Sequence, residues 1–361
     1  MKILLLIPNL CSGGAERQLV TLALLFKREG LDVEVITYHG DDFYKHILDD
    51  HLIKVNKLNP KNNLDRMLKV RKFIRTSHCD VVISFLETTN FLNCFAAIGG
   101  KNWKVITTEL SSKESTFISR RGKIFGWFQR YSDAIVCNSY NAVAMWEAFY
   151  PSYAGKLSVI YNPVILPEVT AEYIPKENGK LNIVVAASYQ FLKNPIGLIK
   201  AIALMNSETK SKLQINWFGR FRLSHGDSKA YDESLALIKQ HNLTAIIHLN
   251  GETTDIANKM HQADVIALFS ELEGLPNAIC EGMALGKPII MTRVSDYNVL
   301  VDEKNGFLCD WDSPKSIKDA LVDAINLSGG ELFDLGKNSK TKADELFAPE
   351  TVVEQWLNLF P

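Results

Sequence analysis

Two successive runs of alternating strand and helix patterning, a proline-containing polar break between them, and a glycine loop directly after the first strand predict an α/β protein. Its architecture is two Rossmann-like domains with a ligand cleft between them. Short apolar stretches separated by amphipathic ones are the pattern of parallel strands joined by helical crossovers. At 361 residues the chain exceeds what one ordinary core accommodates, so two domains are expected.

Residues 2–7 read as a buried first strand, 9–14 as the glycine loop, 15–29 as a helix stopped by Gly30, and 32–38 as a second strand. Helix at 64–77, strand at 80–86, helix at 90–98, strand at 104–107, helix at 122–131, strand at 133–138, helix at 140–149 and strand at 157–161 continue the alternation. The pattern breaks at Asn162-Pro163-Val164, and residues 166–179, with Pro167, Pro175 and few apolar positions, have a linker's composition. A second alternation then places strands at 181–186, 213–218, 246–249, 265–269, 287–291 and 306–308. Its helices fall at 195–205, 228–241, 254–263, 276–286, 314–327, 331–346 and 349–359. The expected domains are therefore 1–166 and 167–347, with the last segment, 348–361, crossing back to brace the first domain.

Composition excludes several classes. Six cysteines without C-x-x-C spacing indicate neither a zinc site nor a disulfide framework, and a reducing compartment is expected. The eight histidines lack paired metal spacing. No apolar run approaches the roughly 18 residues of a membrane span, and residues 1–7 meet Pro8 with no cleavage site to follow, so they read as a strand and not a signal sequence. The net charge of −1 hides an asymmetry: residues 1–166 carry 21 Lys/Arg against 15 Asp/Glu, whereas 167–361 carry 19 against 26. The basic N-terminal part is either solvated surface or the face of an anionic partner.

The stretch 269–288 is the most informative. A buried strand ends at Phe269, Glu273-Gly274-Leu275-Pro276 makes a turn, and a helix runs to Gly286. Free N–H groups and a helix dipole at such a turn suit an anion such as a diphosphate. Glu273 in the turn and Glu281 in the helix could grip different parts of one ligand.

Glu273-Gly274-Leu275-Pro276-Asn277-Ala278-Ile279-Cys280-Glu281 resembles the Glu-x7-Glu signature of retaining nucleotide-sugar glycosyltransferases of family 4, which adopt the GT-B fold. Two glutamates at this spacing arise often by chance; four further matches in the right order give the likeness its weight. Ser12-Gly13-Gly14-Ala15-Glu16-Arg17 is similar to the glycine loop of bacterial members that build lipid-linked glycans, and the others are Ile83–Asn90, Lys193-Asn194-Pro195 and Asn305–Leu308.

The resemblance implies that Glu273 contacts the donor sugar, Glu281 the ribose, and Gly274, Leu275, Pro276 and Asn277 the sugar and diphosphate. It makes Lys193 the cation beside the leaving diphosphate, with Gly13 and Gly14 close to donor or acceptor. Two positions depart from the family's pattern. Ser188 stands where most relatives carry an arginine, and Arg220 is the expected substitute; Leu110 stands where a histidine usually follows the glutamate, leaving Glu109 to orient acceptor or donor hydroxyls. Arg17 is either solvated or a candidate for an acceptor phosphate, and Lys69 and Lys72 on the basic amphipathic helix at 64–75 are candidates for the same role. That helix, with Arg120-Arg121-Gly122-Lys123 and Trp127-Phe128, also suggests an anionic membrane surface.

Gly13-Gly14 alone could suggest NAD, but the loop is not a G-x-G-x-x-G fingerprint. Asp310-Trp311-Asp312 imitates a metal-binding D-x-D, yet Ser313-Pro314 after it reads as a helix cap with proline at the first helical position. No metal, cofactor or nucleic acid is called for. The resemblance implies retaining transfer of a hexose or N-acetylhexosamine from a nucleotide sugar, UDP in preference to GDP, to a polyprenyl-diphosphate-linked or other glycan acceptor. It belongs to cell-surface polysaccharide, lipopolysaccharide or capsule synthesis, in the cytoplasm or on the inner membrane face. A catalytically silent sugar-nucleotide-binding scaffold and a nucleotide-sugar epimerase are the alternatives.

Overall fold

The computed structural model describes residues 1–40, 42–110, 114–176, 179–222 and 226–361, and two compact units make up the chain. One comprises Met1–Pro163 and Pro349–Pro361, the other Val164–Ala348.

Seven strands form the sheet of the first unit: β1 (Lys2–Leu6), β2 (Asp32–Thr37), β3 (Lys54–Lys57), β4 (Val81–Ser84), β5 (Lys104–Glu109), β6 (Ala134–Cys137) and β7 (Leu157–Val159). Their order is β3-β2-β1-β4-β5-β6-β7, every pairing parallel, with Leu6 opposite both Ile36 and Ser84. β1 is almost wholly apolar because helices cover both its faces, as expected of a central parallel strand. The last helix, Pro349–Leu357, lies in this unit, where Trp356 packs edge-on to Phe26 at 6.2 Å and Phe360 does so at 5.5 Å.

The second unit has β8 (Leu181–Ala186), β9 (Leu213–Phe218), β10 (Ile247–Asn250), β11 (Val265–Leu268), β12 (Ile289–Thr292) and β13 (Gly306–Cys309). These run in the order β10-β9-β8-β11-β12-β13, again all parallel. Leu198, Ile202, Trp217, Val265, Phe269 and Leu321 belong to its core.

The elements differ from the sequence's expectations in definite ways. β3 and the helix Lys45–Asp50 before it were not expected: an edge strand reading Lys-Val-Asn-Lys buries too little to carry an apolar signal. The short helices Glu114–Ile118, Ser207–Ser211 and Tyr297–Leu300 are also additional. The helix expected at 90–98 spans Glu87–Ala97, because the chain turns sharply at Leu86 with φ of +77°. The helix expected at 122–131 begins at Arg120, where the Ser119 hydroxyl accepts from the Gly122 N–H at 3.0 Å.

Among its described residues the expected linker has no α-helix or strand but is strapped to the second unit, with Glu177 and Asn178 outside the described residues. Val164 N–H donates to the Phe347 carbonyl at 3.0 Å, and the Asn258 Oδ1 accepts from the N–H groups of Thr170 and Ala171. Tyr173 donates to Asp264 at 3.1 Å while its ring covers the buried Lys287 ammonium at 3.2 Å. Burial pushes that ammonium down to about 8. Composition alone could not distinguish a strap from a free linker, since the fastening groups lie far along the chain.

Trp356→Ala removes the aromatic anchor of the last helix. It should cost about 3–5 kcal/mol, read in denaturant unfolding as an earlier transition of the first unit with the second unchanged.

Candidate active site

In an open parallel sheet, ligands bind where the strand order reverses, because the neighbouring loops there lead off in opposite directions and leave a crevice. The second sheet reverses between β8 and β11. The loops leaving these two strands carry Ser188 and Lys193 on one side and Glu273 to Asn277 on the other. Among the described residues β8 and β11 pair over Ile183↔Val265 and Val184↔Ile266, at the start of β11. Glu271 N–H then donates to the Leu192 carbonyl at 2.8 Å, tying the two loops together.

Lys193 and Glu273 meet directly there, Nζ to Oε1 at 2.5 Å, with side chains 19% and 11% exposed. The same Oε1 accepts from the buried Ser270 hydroxyl at 2.6 Å, and the Ser270 carbonyl accepts from Thr292 Oγ1 at 2.6 Å. Sequence reasoning missed Ser270. A serine three residues before Glu273 carries no signal of its own, because the bond that gives it a role forms only in the folded turn. The Ser295 hydroxyl donates to the Gly274 carbonyl and secures the other side of the turn.

Helix Asn277–Ala284 starts at Pro276, whose side chain caps none of its N–H groups and whose carbonyl accepts from the N–H groups of Ile279 and Cys280. A Cβ on Gly282 would stand 2.8 Å from the Ile266 side chain, so glycine lets this helix lie close on β11. Asn277 and Glu281 are half-buried on it. Ser188 accepts from Gln190 Nε2 at 2.7 Å, and the Tyr189 N–H donates to the Arg220 carbonyl at 3.1 Å. The Arg220 backbone thus adjoins the Ser188 loop. Its guanidinium pairs with Glu252 at 3.1 Å, an exposed pair that solvent leaves weak.

The first sheet reverses between β1 and β4. A cavity at this end is lined by Pro8, Ala15, Leu86, Glu87, Thr88, Thr108, Glu109 and Leu110. Ser84 Oγ donates to Asn90 Oδ1 and Asn90 Nδ2 to the Thr108 carbonyl, both at 2.8 Å, fixing the ends of β4 and β5. The backbone at Leu86 is one that non-glycine residues rarely adopt, a feature that clusters at functional positions. Leu110 packs partly on the core below. It therefore gives the cavity an apolar wall.

Gly13 caps the helix Gly14–Arg28. A Cβ there would run into the Glu16 carboxylate, itself an acceptor from Cys11 at 3.2 Å, whereas one on Gly14 meets open space. Gly13 thus leaves room for the Glu16 carboxylate, which a larger side chain there would turn aside. Arg17 is exposed on the first turn.

The basic helix Asn63–Thr76 is differently engaged than its composition suggests. Arg71 donates to the carbonyls of Phe95, Ala96 and Ile98, and Arg75 to those of Ala96 and Gly100, so both cap the helix Glu87–Ala97. Lys69 is turned onto Asp65 and the Asn59 carbonyl, and Lys72 is exposed. The cations that reach the sheet's end are others. Arg66 lies over the Tyr38 ring at 5.2 Å, and Arg121 donates to Thr88 Oγ1 at 2.5 Å. Burial raises the Tyr38 hydroxyl to about 12 against the pull of these two guanidinium groups.

At the other motif the Ser313 hydroxyl caps the helix Pro314–Asn326 by accepting from Ser316 N–H at 3.2 Å, and Asp310 pairs with Arg293 at 2.7 Å.

Comparison with known proteins agrees with this geometry. The family model for Glycosyltransferase Family 4 matches residues 12–166 and that for Glycosyl transferases group 1 matches 170–342. A Campylobacter jejuni α-1,4-N-acetyl-D-galactosaminyltransferase, named for a GalNAc-GalNAc-diNAcBac-diphosphoundecaprenol substrate, is 27% identical over 99% of this chain and 98% of its own. A second enzyme of that organism, an N-acetylgalactosamine-N,N'-diacetylbacillosaminyl-diphospho-undecaprenol 4-α-N-acetylgalactosaminyltransferase, is 22% identical over 89% of each chain. Among solved structures, Anabaena HepE in complex with UDP and glucose superposes with a TM-score of 0.82 at 20% identity, over 99% of this chain and 98% of that one.

An anion probe tests the crevice independently of any reaction. Lys193→Ala should weaken inorganic pyrophosphate binding about tenfold to a hundredfold, in line with loss of a charge-assisted contact, whereas Ser270→Ala should leave it within about twofold; isothermal titration reads both.

Proposed function

Since this chain belongs to the glycosyltransferases, with a family 4 region before a group 1 region on the GT-B fold, we propose that it transfers a hexose or N-acetylhexosamine from UDP-sugar to a polyprenyl-diphosphate-linked glycan. This reaction serves bacterial cell-surface polysaccharide or glycoconjugate synthesis. The Campylobacter relatives, named for diphosphoundecaprenol-linked substrates, support the acceptor class. HepE, solved with UDP, supports the nucleotide.

The observation that carries the reading is the Lys193–Glu273 pair at the β8/β11 crevice. Paired, each neutralises the other. A bound sugar nucleotide offers both a better partner: the diphosphate takes the Lys193 ammonium, and the sugar hydroxyls donate to the Glu273 carboxylate, which Ser270 keeps in place. Glu281 takes the ribose. The N–H groups at the start of Asn277–Ala284 face the diphosphate. As the glycosidic bond breaks, negative charge grows on the leaving diphosphate, and these preorganised donors stabilise it more than they stabilise the ground state.

Arg220 supplies the second cation in place of the arginine that Ser188 replaces, once drawn from its exposed partner Glu252. Charge at the diphosphate is then met by protein groups, so no divalent cation is needed. In the first unit Glu109 and the cavity beside Leu86 to Thr88 receive the acceptor, with Gly13, Gly14 and Arg17 on the loop and first helical turn around the lining residue Ala15. The leaving diphosphate itself accepts the proton of the acceptor hydroxyl, so the new bond keeps the donor's configuration. The α-linkages in the relatives' names agree with retention from an α-linked sugar nucleotide.

A panel of UDP- and GDP-sugars, with release of nucleoside diphosphate measured with and without chelator, tests this reading. Turnover is expected with a UDP-sugar and unchanged by EDTA, and product NMR should give the α-anomer. Nucleotide binding without turnover on any donor–acceptor pair would make the protein a silent scaffold. Lys193→Ala should lower kcat/KM about a hundredfold to a thousandfold, and Ser270→Ala about tenfold to a hundredfold.

A further inference from the structure

β13 ends the second sheet and has a neighbouring strand on one side only. Successive residues of a parallel strand turn their N–H and C=O groups to alternate sides. The carbonyls of Asn305 and Cys309 accept from the N–H groups of Ile289 and Arg293, at the two ends of β12, so Gly306, Leu308 and Asp310 turn outward. At its ends this outer edge is satisfied by the chain itself: Gly306 N–H donates to the Asp302 carbonyl at 3.0 Å, and Asp310 N–H to Ser316 Oγ at 3.1 Å. Between them, the Leu308 N–H and the carbonyls of Gly306 and Leu308 have no outward partner among the described residues. They lie at a groove of about 730 Å³, walled by helices Tyr297–Leu300 and Pro314–Asn326. Phe307 and Leu308 are half-buried there. A strand edge left open in this way is a template for another strand.

The charge of the groove changes sign along its length. Arg293, bonded through its N–H to the Cys309 carbonyl, and Lys315, in the first turn of helix Pro314–Asn326, mark one end. Asp302 and Glu303, beside Gly306, mark the other. Asp319 and Asp323 follow Lys315 along the helix at intervals of about one turn. Arg293, Asp302 and Asp319 are partly answered by Asp310, Lys342 and Lys318, whereas Lys315, Glu303 and Asp323 are exposed and hold no ion pair among the described residues.

We propose that this groove is a docking surface for an extended segment of another protein, which adds to β13 as a further strand and carries cationic side chains at one end and anionic ones at the other. The open groups of Gly306 and Leu308 supply the main-chain bonds of strand addition, and side chains of the segment reach the helical walls, where the opposed charges set its direction. A compact ligand would answer one end of the groove and leave the other unmet. The surface belongs to β13, two places along the sheet from β11, so it is separate from the Lys193–Glu273 crevice and does not rest on the proposed reaction.

Calorimetry with capped, net-neutral peptides of one composition tests it. Lys-Val-Lys-Val-Glu-Val-Glu and its reverse, Glu-Val-Glu-Val-Lys-Val-Lys, gather the charges at opposite ends, whereas Lys-Val-Glu-Val-Lys-Val-Glu disperses them. One of the two segregated peptides should bind at least about tenfold more tightly than the dispersed one and weaken in high salt. N-methylation of one alternate set of its residues should cost about tenfold more than methylation of the other set, because only one set faces β13. Glu303→Lys/Asp323→Lys and, separately, Lys315→Glu should each weaken the favoured peptide about tenfold. Both variants should keep the wild-type melting temperature, since the altered side chains are exposed. Absence of binding by either segregated peptide, equal binding of segregated and dispersed peptides, indifference to the site of methylation, or variants that bind as wild type does would overturn the proposal. So would a self-associating wild type that the same variants render monomeric, since the groove would then belong to a second copy.

Discussion

Every candidate donor contact in the second unit depends on one constraint: β8 and β11 lie side by side, while the elements that follow them lead away in opposite directions. The crevice this leaves is narrow enough for Glu271 to bond to the Leu192 carbonyl and for Lys193 to reach Glu273. A buried serine, a threonine from β12 and a glycine that lets helix Asn277–Ala284 lie on β11 serve to hold that meeting point. Without the reversal in strand order, residues 80 positions apart would have no reason to form a pair. The first unit repeats the constraint at β1 and β4, where the cavity beside Glu109 opens.

A cation and a carboxylate paired in a partly buried crevice have a physical use. Left alone, either would carry a desolvation penalty, and each would also be free to adopt another rotamer. Paired, they wait in one geometry, and a ligand with a diphosphate at one end and hydroxyls at the other exchanges that pair for two. The energetic gain is the difference between the contacts made and the pair broken. Such a site discriminates against a ligand that supplies only one half.

Much of the fold was legible in the sequence because parallel sheets announce themselves. Buried strands such as Ile3 to Leu6 and Val265 to Leu268 are continuous apolar runs, and the amphipathic stretches between them fix the crossovers. What escaped was either short and polar, as β3 was, or dependent on distant partners. Arg71 and Arg75 read as a basic face, yet they cap a helix that begins more than ten residues further on. The cations at the sheet's end, Arg66 and Arg121, could not be told from their neighbours without the packing of Tyr38 and Thr88. The Glu-x7-Glu stretch was visible because its spacing is local. Ser270 was not, since its value lies in a hydrogen bond that only the folded turn creates.

The central claim is that Lys193 and Glu273 are held together only until a sugar nucleotide separates them, and the affinity of Glu273→Gln for two ligands tests it most directly. By calorimetry, that substitution should tighten UDP, because Lys193 is released to the diphosphate, and weaken the UDP-sugar relative to UDP, because a sugar acceptor is lost. Unchanged affinity for both ligands, or equal weakening of both, would contradict the account.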